Sequence, residues 1–397
     1  MKKGLTVIKI ISLSFICLLM LIYIIMCSIL HGRISSMMSV KKVGNGLYTM
    51  NYQENYHLDK ALKAGIRSGE DLVNFLSDEM FFGYKIDYDN KKYGCSAFLT
   101  QSPDGDYLVG RNFDLLGSDT LALYTHPKGG YASISTISTD IVSVGNENGI
   151  SPTSLKGKIL LLASPYIAVD GMNEKGLSAA LLDMMNGETH MDSEKPDLIV
   201  SLAIRLILDK TSSVSEAVEL LKKYDIQTAH GCTQHIFIAD KSGSSAIVEW
   251  YDNEMKVIDY NVCTNFRMSD PIYKDNDYIG ACYRFNYIDI SLKAKPINTM
   301  DESMNILEHV KQKGYGTNTI WSVVYNLSDY NADYVVKMNY DNIYHLKPKT
   351  DSKEGLIMSL TIIIALFILG TSLFLIIFKK KKNTEINSNN ESKDAYN

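Results

Sequence analysis

The sequence predicts a layered α+β body of antiparallel sheets covered by helices, held between two apolar ends. Three observations predict it. Strand-like segments are joined by short polar turns, two helical segments follow one another in mid-chain, and strands resume after them. Of 397 residues, 46% are apolar and 21% charged, a globular composition with enough apolar surface for a core. The length allows one large domain or two ordinary ones.

Charge is unevenly spread. The formal net charge of −5 argues against a nucleic-acid partner. Residues 1–33 carry four basic and no acidic residues, and 379–397 carry five basic and three acidic, which leaves 31 basic and 42 acidic in 34–378. The ends are apolar as well. Leu5 to Leu30 carries one charge, Lys9, and Leu356 to Phe378 contains no charge and is followed by Lys379 to Lys382. About 20 apolar residues suffice for a membrane span. The first run (domain 1–33) reads as a transmembrane anchor or a cleaved signal peptide, and the second (355–378) as a transmembrane helix. The basic flanks put both termini in the cytoplasm, with the acidic middle on the extracytoplasmic face of the cell membrane. The tail 379–397 is polar.

Between the ends, residues 34–94 show Leu58, Leu62, Ile66, Leu72 and Phe75 at helical spacing, with a break at Ser68-Gly69. They read as one or two short helices in a pro-segment or cap. From Tyr93 the pattern changes. CSAFLT, the turn Pro103-Asp104-Gly105 and YLVGRNF form a hairpin. YASIST, the apolar run Leu160 to Ser164, IAVDGMN and GLSAALLD are further strand candidates. LIVSLAIRLILDK is an apolar helix, and Ser213 with Glu216 has capping-box spacing before a second. HIFIAD and AIVEWY form a hairpin, 302–312 is a helix candidate, and TIWSVVYNL and YVVKMNY are late strands.

Chemistry concentrates on one cysteine. Cys95 heads a strand, and Arg111 and Asp114 follow it by 16 and 19 residues on the return strand. A guanidinium beside a thiol favours the thiolate. The plain alternative is a buried inert cysteine next to an ordinary salt pair. A G-x-S-x-G elbow and a phosphate-binding loop are both absent from the sequence. His230 and His235, with Cys232 between them, do not match zinc-helix spacing. No metal or cofactor is expected. Asn173, Asn265 and Arg284 are polar residues in apolar or turn surroundings, and each reads equally as a turn residue.

Together, YGCSAF, GRNFD, DGMNEKGL, VCTNF, YRF and WSVVYNL resemble the choloylglycine hydrolase and penicillin V acylase family across residues 93–347. The resemblance implies a four-layer αββα N-terminal-nucleophile fold over 95–350 that cleaves linear amide C–N bonds. It implies Cys95 as nucleophile, Arg111 and Asp114 against it, Asn173 and Asn265 at the oxyanion, and Arg284 completing the polar network. Ninety-four residues precede Cys95, as in the long-propeptide relatives, the penicillin-forming acyltransferases and the acid ceramidase group. The implication is self-cleavage between Gly94 and Cys95, with 34–94 a propeptide or small subunit. The partners expected are a small N-acyl amide, the lipid bilayer and the propeptide itself. Two rival readings are an acyltransferase and a non-catalytic membrane-anchored binding protein.

Overall fold

The computed structural model describes residues 30–86, 94–145, 149–184, 189–228, 233–269, 282–314 and 317–348, with a few isolated positions in the terminal apolar runs. Residues 1–38 with 351–397 form one unit, and Ser39–Thr350 form another. In the first unit, residues 30–38 are helical. Among the described residues no helix is long and apolar enough to cross a membrane. That finding corrects the transmembrane helices, the bilayer partner and the cell-membrane placement expected from the sequence. An apolar run supplies composition, but a span needs an unbroken helix of about 20 residues. Most of both runs lies outside the described residues.

In the second unit the chain begins with Lys41–Gly44 (β1) and Leu47–Tyr52 (β2), two strands that the sequence reading does not anticipate. Leu58–Ala64 (α1) and Gly69–Met80 (α2) follow, separated where the spacing predicts. Ser68 caps α2: its hydroxyl accepts from Asp71 N at 3.1 Å, and the Asp71 carboxylate accepts from Ser68 N at 3.1 Å. Gly94–Gln101 (β3) and Tyr107–Leu115 (β4) are the expected hairpin. Gly105 takes φ +91° in its turn, a region open to glycine.

Thr120–Thr125 (β5), Ser133–Ser138 (β6), Asp170–Asn173 (β7) and Leu177–Met184 (β8) come next. The run Leu160 to Ser164 is not a strand. It ends the helix Leu155–Leu160 (α3) and continues as a 3₁₀ turn over Leu161–Tyr166. Ser154 starts α3 by accepting from Gly157 N at 3.1 Å. A short run buried on every side shows no period that separates strand from helix.

Asp197–Ile199 (β9), Val200–Lys210 (α4), Val214–Leu221 (α5) and Asp225–Gln227 (β10) make the helical middle, with Ser213 capping α5. Thr233–Asp240 (β11), Ser245–Tyr251 (β12), Glu254–Ile258 (β13) and Val262–Cys263 (β14) return to strands. The helices Tyr283–Ala294 (α6) and Met300–His309 (α7) precede Lys313–Gly314 (β15), Thr317–Asn326 (β16), Asn331–Val336 (β17) and Tyr344–Leu346 (β18).

Two large sheets result. One has nine strands in the order β1-β2-β5-β6-β7-β8-β11-β12-β13, and the other has seven, β14-β3-β4-β16-β17-β18 with β15 beside β16. Helix α4 packs on β7 and β8 of the first, and α6 and α7 pack on β3, β4 and β16 of the second. Between the sheets, the Thr136 hydroxyl bonds those of Tyr325 and Tyr334 at 2.8 and 2.9 Å. The layers are therefore helix, sheet, sheet, helix. Phe98, Val262, Phe285, Ile288, Leu307 and Val324 fill the space under α6 and α7.

Among the described residues two sheet pairings depart from the antiparallel expectation, and the first joins β9 to β10 in a small parallel sheet. In the second, β2 runs parallel to β5, so the segment before Cys95 is part of the large sheet. Further ties hold it there. The Tyr56 hydroxyl donates to buried Asp209 at 2.5 Å, the Tyr52 hydroxyl to Leu162 O at 2.9 Å, and Ile199 N to Ile66 O at 2.9 Å.

Candidate active site

Strand pairing sets the geometry. Cys95 stands opposite Phe113, Ala97 opposite Arg111 and Gly94 opposite Asp114. Side chains alternate faces along a strand. Arg111 and Phe113 therefore share the thiol's face, and Asn112 and Asp114 take the other. On the thiol's face, Leu181 O of the opposite sheet is the shared contact. It lies 3.8 Å from Cys95 Sγ and accepts from Arg111 Nη2 at 2.5 Å. Buried Arg111 also donates to Asn112 O at 3.1 Å and pairs with buried Asp170 at 3.4 Å. Asp170 accepts from Trp321 Nε1 at 3.2 Å and the Tyr325 hydroxyl at 2.6 Å, and Trp321 stacks on Phe113 at 4.1 Å.

On the other face, Asp114 accepts from the Thr319 hydroxyl at 2.6 Å and from Arg284 Nη1 at 2.9 Å. Arg284 reaches in from the first turn of α6. It also donates to Cys95 O at 2.8 Å and to Asn265 Oδ1 at 2.6 Å. Asn265 Oδ1 accepts from Cys95 N at 2.6 Å, and Asn265 Nδ2 donates to Asp183 O at 2.5 Å. β14 pairs with β3 only at Ala97 and Phe98, so the nitrogen of Cys95 meets a side-chain amide where the ladder has stopped.

Electrostatics follow from this packing. Burial pushes the Cys95 thiol up to about 12, Arg111 pulls it down, and Asp114 and Asp183 push it up. Burial also raises Asp114, against the downward pull of Arg284, Thr319 and Arg111. Gly94 is closely surrounded: a Cβ there would stand 2.8 Å from Gln312 Nε2 and 3.0 Å from Asp114 Oδ2. Only glycine passes without displacing a neighbour.

Five of the residues singled out by sequence, Cys95, Arg111, Asp114, Asn265 and Arg284, meet in this cluster with Gly94 at its edge. Asn173 does not join them. It closes the β7–β8 turn, donating to Leu208 O and Thr211 O at 2.9 and 2.7 Å and accepting from Lys175 N and Leu177 N at 3.0 and 3.1 Å. Its amide is saturated where it stands. His230 and Cys232 lie outside the described residues.

Asp170, Asp183 and Thr319 are in or against the cluster and are missed by sequence reasoning. Asp183 had a signal, because it is the one charged residue in the buried strand LSAALLDM. Its carboxylate accepts from Gln234 Nε2 at 2.6 Å. The contacts of Leu181 are made by its backbone carbonyl, which no side-chain pattern reports.

Comparison with known proteins agrees with the geometry. Residues 164–341 match the family model for acyl-coenzyme A:6-aminopenicillanic acid acyl-transferase. A penicillin V acylase from Pectobacterium atrosepticum is 34% identical over 110 residues, 24% of this chain and 29% of that protein. A bile salt hydrolase/transferase from Clostridium perfringens is 26% identical over 202 residues, 48% of this chain and 59% of that protein. The chain thus spans less than two thirds of either curated relative. A crystal structure of a variant conjugated bile acid hydrolase from Clostridium perfringens superposes with a TM-score of 0.51 at 19% identity, over 65% of this chain and 94% of that one. That likeness carries the fold. With the sequence matches added, the chain is similar over part of its length to a penicillin V acylase and a bile salt hydrolase/transferase, and it shares the fold of a conjugated bile acid hydrolase.

Proposed function

We propose that the protein hydrolyses a linear amide C–N bond of a small N-acyl amide, after cleavage of its own chain between Gly94 and Cys95. One observation carries the reading: Asn265, Arg284 and Asp114 converge on the nitrogen and carbonyl of Cys95. An inert cysteine has no use for such a set. In the uncut chain that nitrogen is an amide and cannot take a proton. Once free, it is an amine, a group whose unperturbed pKa of about 7.7–8.0 lets it take a proton near neutral pH.

The chemistry runs in balanced steps. In maturation, Cys95 Sγ attacks the Gly94 carbonyl, the C–N bond breaks to give a thioester, and water releases Gly94 as a carboxylate. In turnover, the Cys95 amine takes the thiol proton and the thiolate attacks the substrate carbonyl. Arg111 favours the thiolate. Asn265 Nδ2 turns from Asp183 O to the developing oxyanion, a contribution on the order of 3 kcal/mol. The ammonium of Cys95 returns its proton to the leaving amine, and water hydrolyses the acyl-enzyme thioester. Asp114 acts through Arg284 to hold the terminus in place.

The segment that ends at Gly94 stays with the body after the cut as a small subunit, because β2 is paired within the sheet and Tyr56 is bonded to Asp209. The relatives' names suggest two substrate classes to try first, phenoxyacyl amides such as penicillin V and conjugated bile acids. Acyl transfer to an amine is the second reading, favoured by the family model that matches residues 164–341.

The test is a screen of N-acyl amides with purified protein, following liberated amine by mass spectrometry, with Cys95→Ala as control and amine acceptors added to detect transfer. Mature termini are read by intact-mass analysis. Turnover by protein whose Gly94–Cys95 bond is intact would sink the mechanism.

A further inference from the structure

His235 is fully buried on β11, opposite Leu182 of β8. Leu182 lies between Leu181, whose carbonyl meets the Cys95 thiol, and Asp183, whose carbonyl holds Asn265. Both ring nitrogens of His235 face acceptors. Nδ1 is 3.0 Å from Glu249 Oε1, and Nε2 is 2.7 Å from Thr264 O. A backbone carbonyl has no proton to give. Buried Glu249 accepts from Met268 N on Oε1 and from Ser269 N on Oε2, each at 2.8 Å. Two such donors favour the ionised carboxylate. The ring must then carry both protons as an imidazolium. The other titratable group against it is Cys263, whose Sγ lies 3.4 Å from Nε2.

The pair grips one short segment from both sides. His235 holds the carbonyl of Thr264, immediately before Asn265, and Glu249 holds the nitrogens of Met268 and Ser269 just after it. Asn265 is the residue set against the Cys95 nitrogen.

We propose that His235, as a buried imidazolium paired with Glu249, is a positioning residue that fixes Asn265 against the nitrogen of Cys95. It acts through the Thr264 carbonyl and not on the reacting atoms. This rests on the amidase reading, which gives Asn265 its task.

Two measurements test it. In protein labelled with ¹⁵N-histidine at pH 7, His235 should show two ring N–H protons and the nitrogen shifts of an imidazolium. A ring with one proton overturns the proposal, and this readout needs neither turnover nor a variant. In the cut forms of His235→Asn and Glu249→Gln, kcat per Cys95 titrated with iodoacetamide should fall about a hundredfold, as for a misplaced catalytic group. KM should stay within about threefold. A histidine that only supports folding would reduce the yield of titratable sites and leave kcat per site unchanged, and that outcome also overturns it. The Cys95→Ala control separates the two readings. If that variant turns over substrate, the amidase reading fails; if it is dead and the His235 variant keeps full kcat, positioning alone fails.

Discussion

Among the described residues, the arginine–aspartate pairs Arg205–Asp209 and Arg284–Asp114 differ in what surrounds them. Arg205 and Asp209 lie one turn apart on α4, 2.7 Å from each other and almost wholly hidden. Their remaining bonds go to Tyr56, Ser133 and Ser135. Arg284 and Asp114 are joined at 2.9 Å, but the Arg284 side chain keeps 13% of its surface and its other donors point at Cys95 and Asn265. The first pair fastens the segment before Cys95 to the body. The second has the carbonyl of Cys95 and an edge of solvent within its reach. Buried charge is costly in both places, and of these two pairs only the second is bonded to Cys95.

The largest effect is expected of Cys95→Ala. The chain should accumulate uncut, and turnover should fall by on the order of 10⁶. The fold should be unchanged by circular dichroism. The next effect is on the thiol itself. In the uncut chain, burial places the Cys95 thiol at about 12. A raised thiol pKa means that the thiolate appears only as pH rises toward that value. Carbamidomethylation by iodoacetamide, read by peptide mass, should then climb about tenfold per pH unit from pH 8 to pH 11. A plateau above pH 9 would show an ordinary thiol and remove the case for burial.

Asp114→Asn and Arg284→Gln attack the pair directly. Each should lower kcat about a hundredfold by loosening the Cys95 terminus, while melting temperature moves little because Arg284 is partly solvated. Asp209→Asn should do the opposite. It leaves Arg205 buried without its carboxylate, a cost of about 3–5 kcal/mol, visible as a lower urea midpoint. At temperatures where the variant is folded, kcat should match the parent, and the segment that ends at Gly94 should separate from the cut body at lower urea concentration.

Much of this was legible in the chain, for identifiable reasons. The β3–β4 hairpin follows from a Pro-Asp-Gly turn between alternating segments, and α5 from Ser213 and Glu216. Cys95 with GRNFD pointed to the site. The spacing also contained a detail that only the pleat makes plain. Arg111 and Asp114 are three apart, an odd number, so they cannot share a face of β4. Arg111 reaches the thiol side, and Asp114 reaches Cys95 through Arg284. Nothing local marks β1 and β2 as sheet members, because their partner β5 lies some seventy residues further on. Asp170 reads as one residue of a turn motif, and only tertiary packing brings Arg111, Trp321 and Tyr325 to it. The apolar ends were legible as composition, and composition alone does not make the span that was expected of them.

The smallest effect concerns Asn173, where the motif and the geometry point in different directions. DGMNEKGL suggests an oxyanion residue by resemblance, whereas the structure ties all four bonds of the side chain to the β7–β8 turn and the end of α4. Asn173→Ala frees Leu208 O, Thr211 O and Leu177 N in a buried place, a cost of about 1–3 kcal/mol after partial rearrangement. If the turn is its task, the urea midpoint drops by that amount and kcat per titrated Cys95 stays within about threefold. If it is an oxyanion donor in the working enzyme, kcat falls by about 10²–10³ with stability little changed. The second result would require the β7–β8 turn to rearrange after the chain is cut, since Asn173 has no free N–H in the structure described.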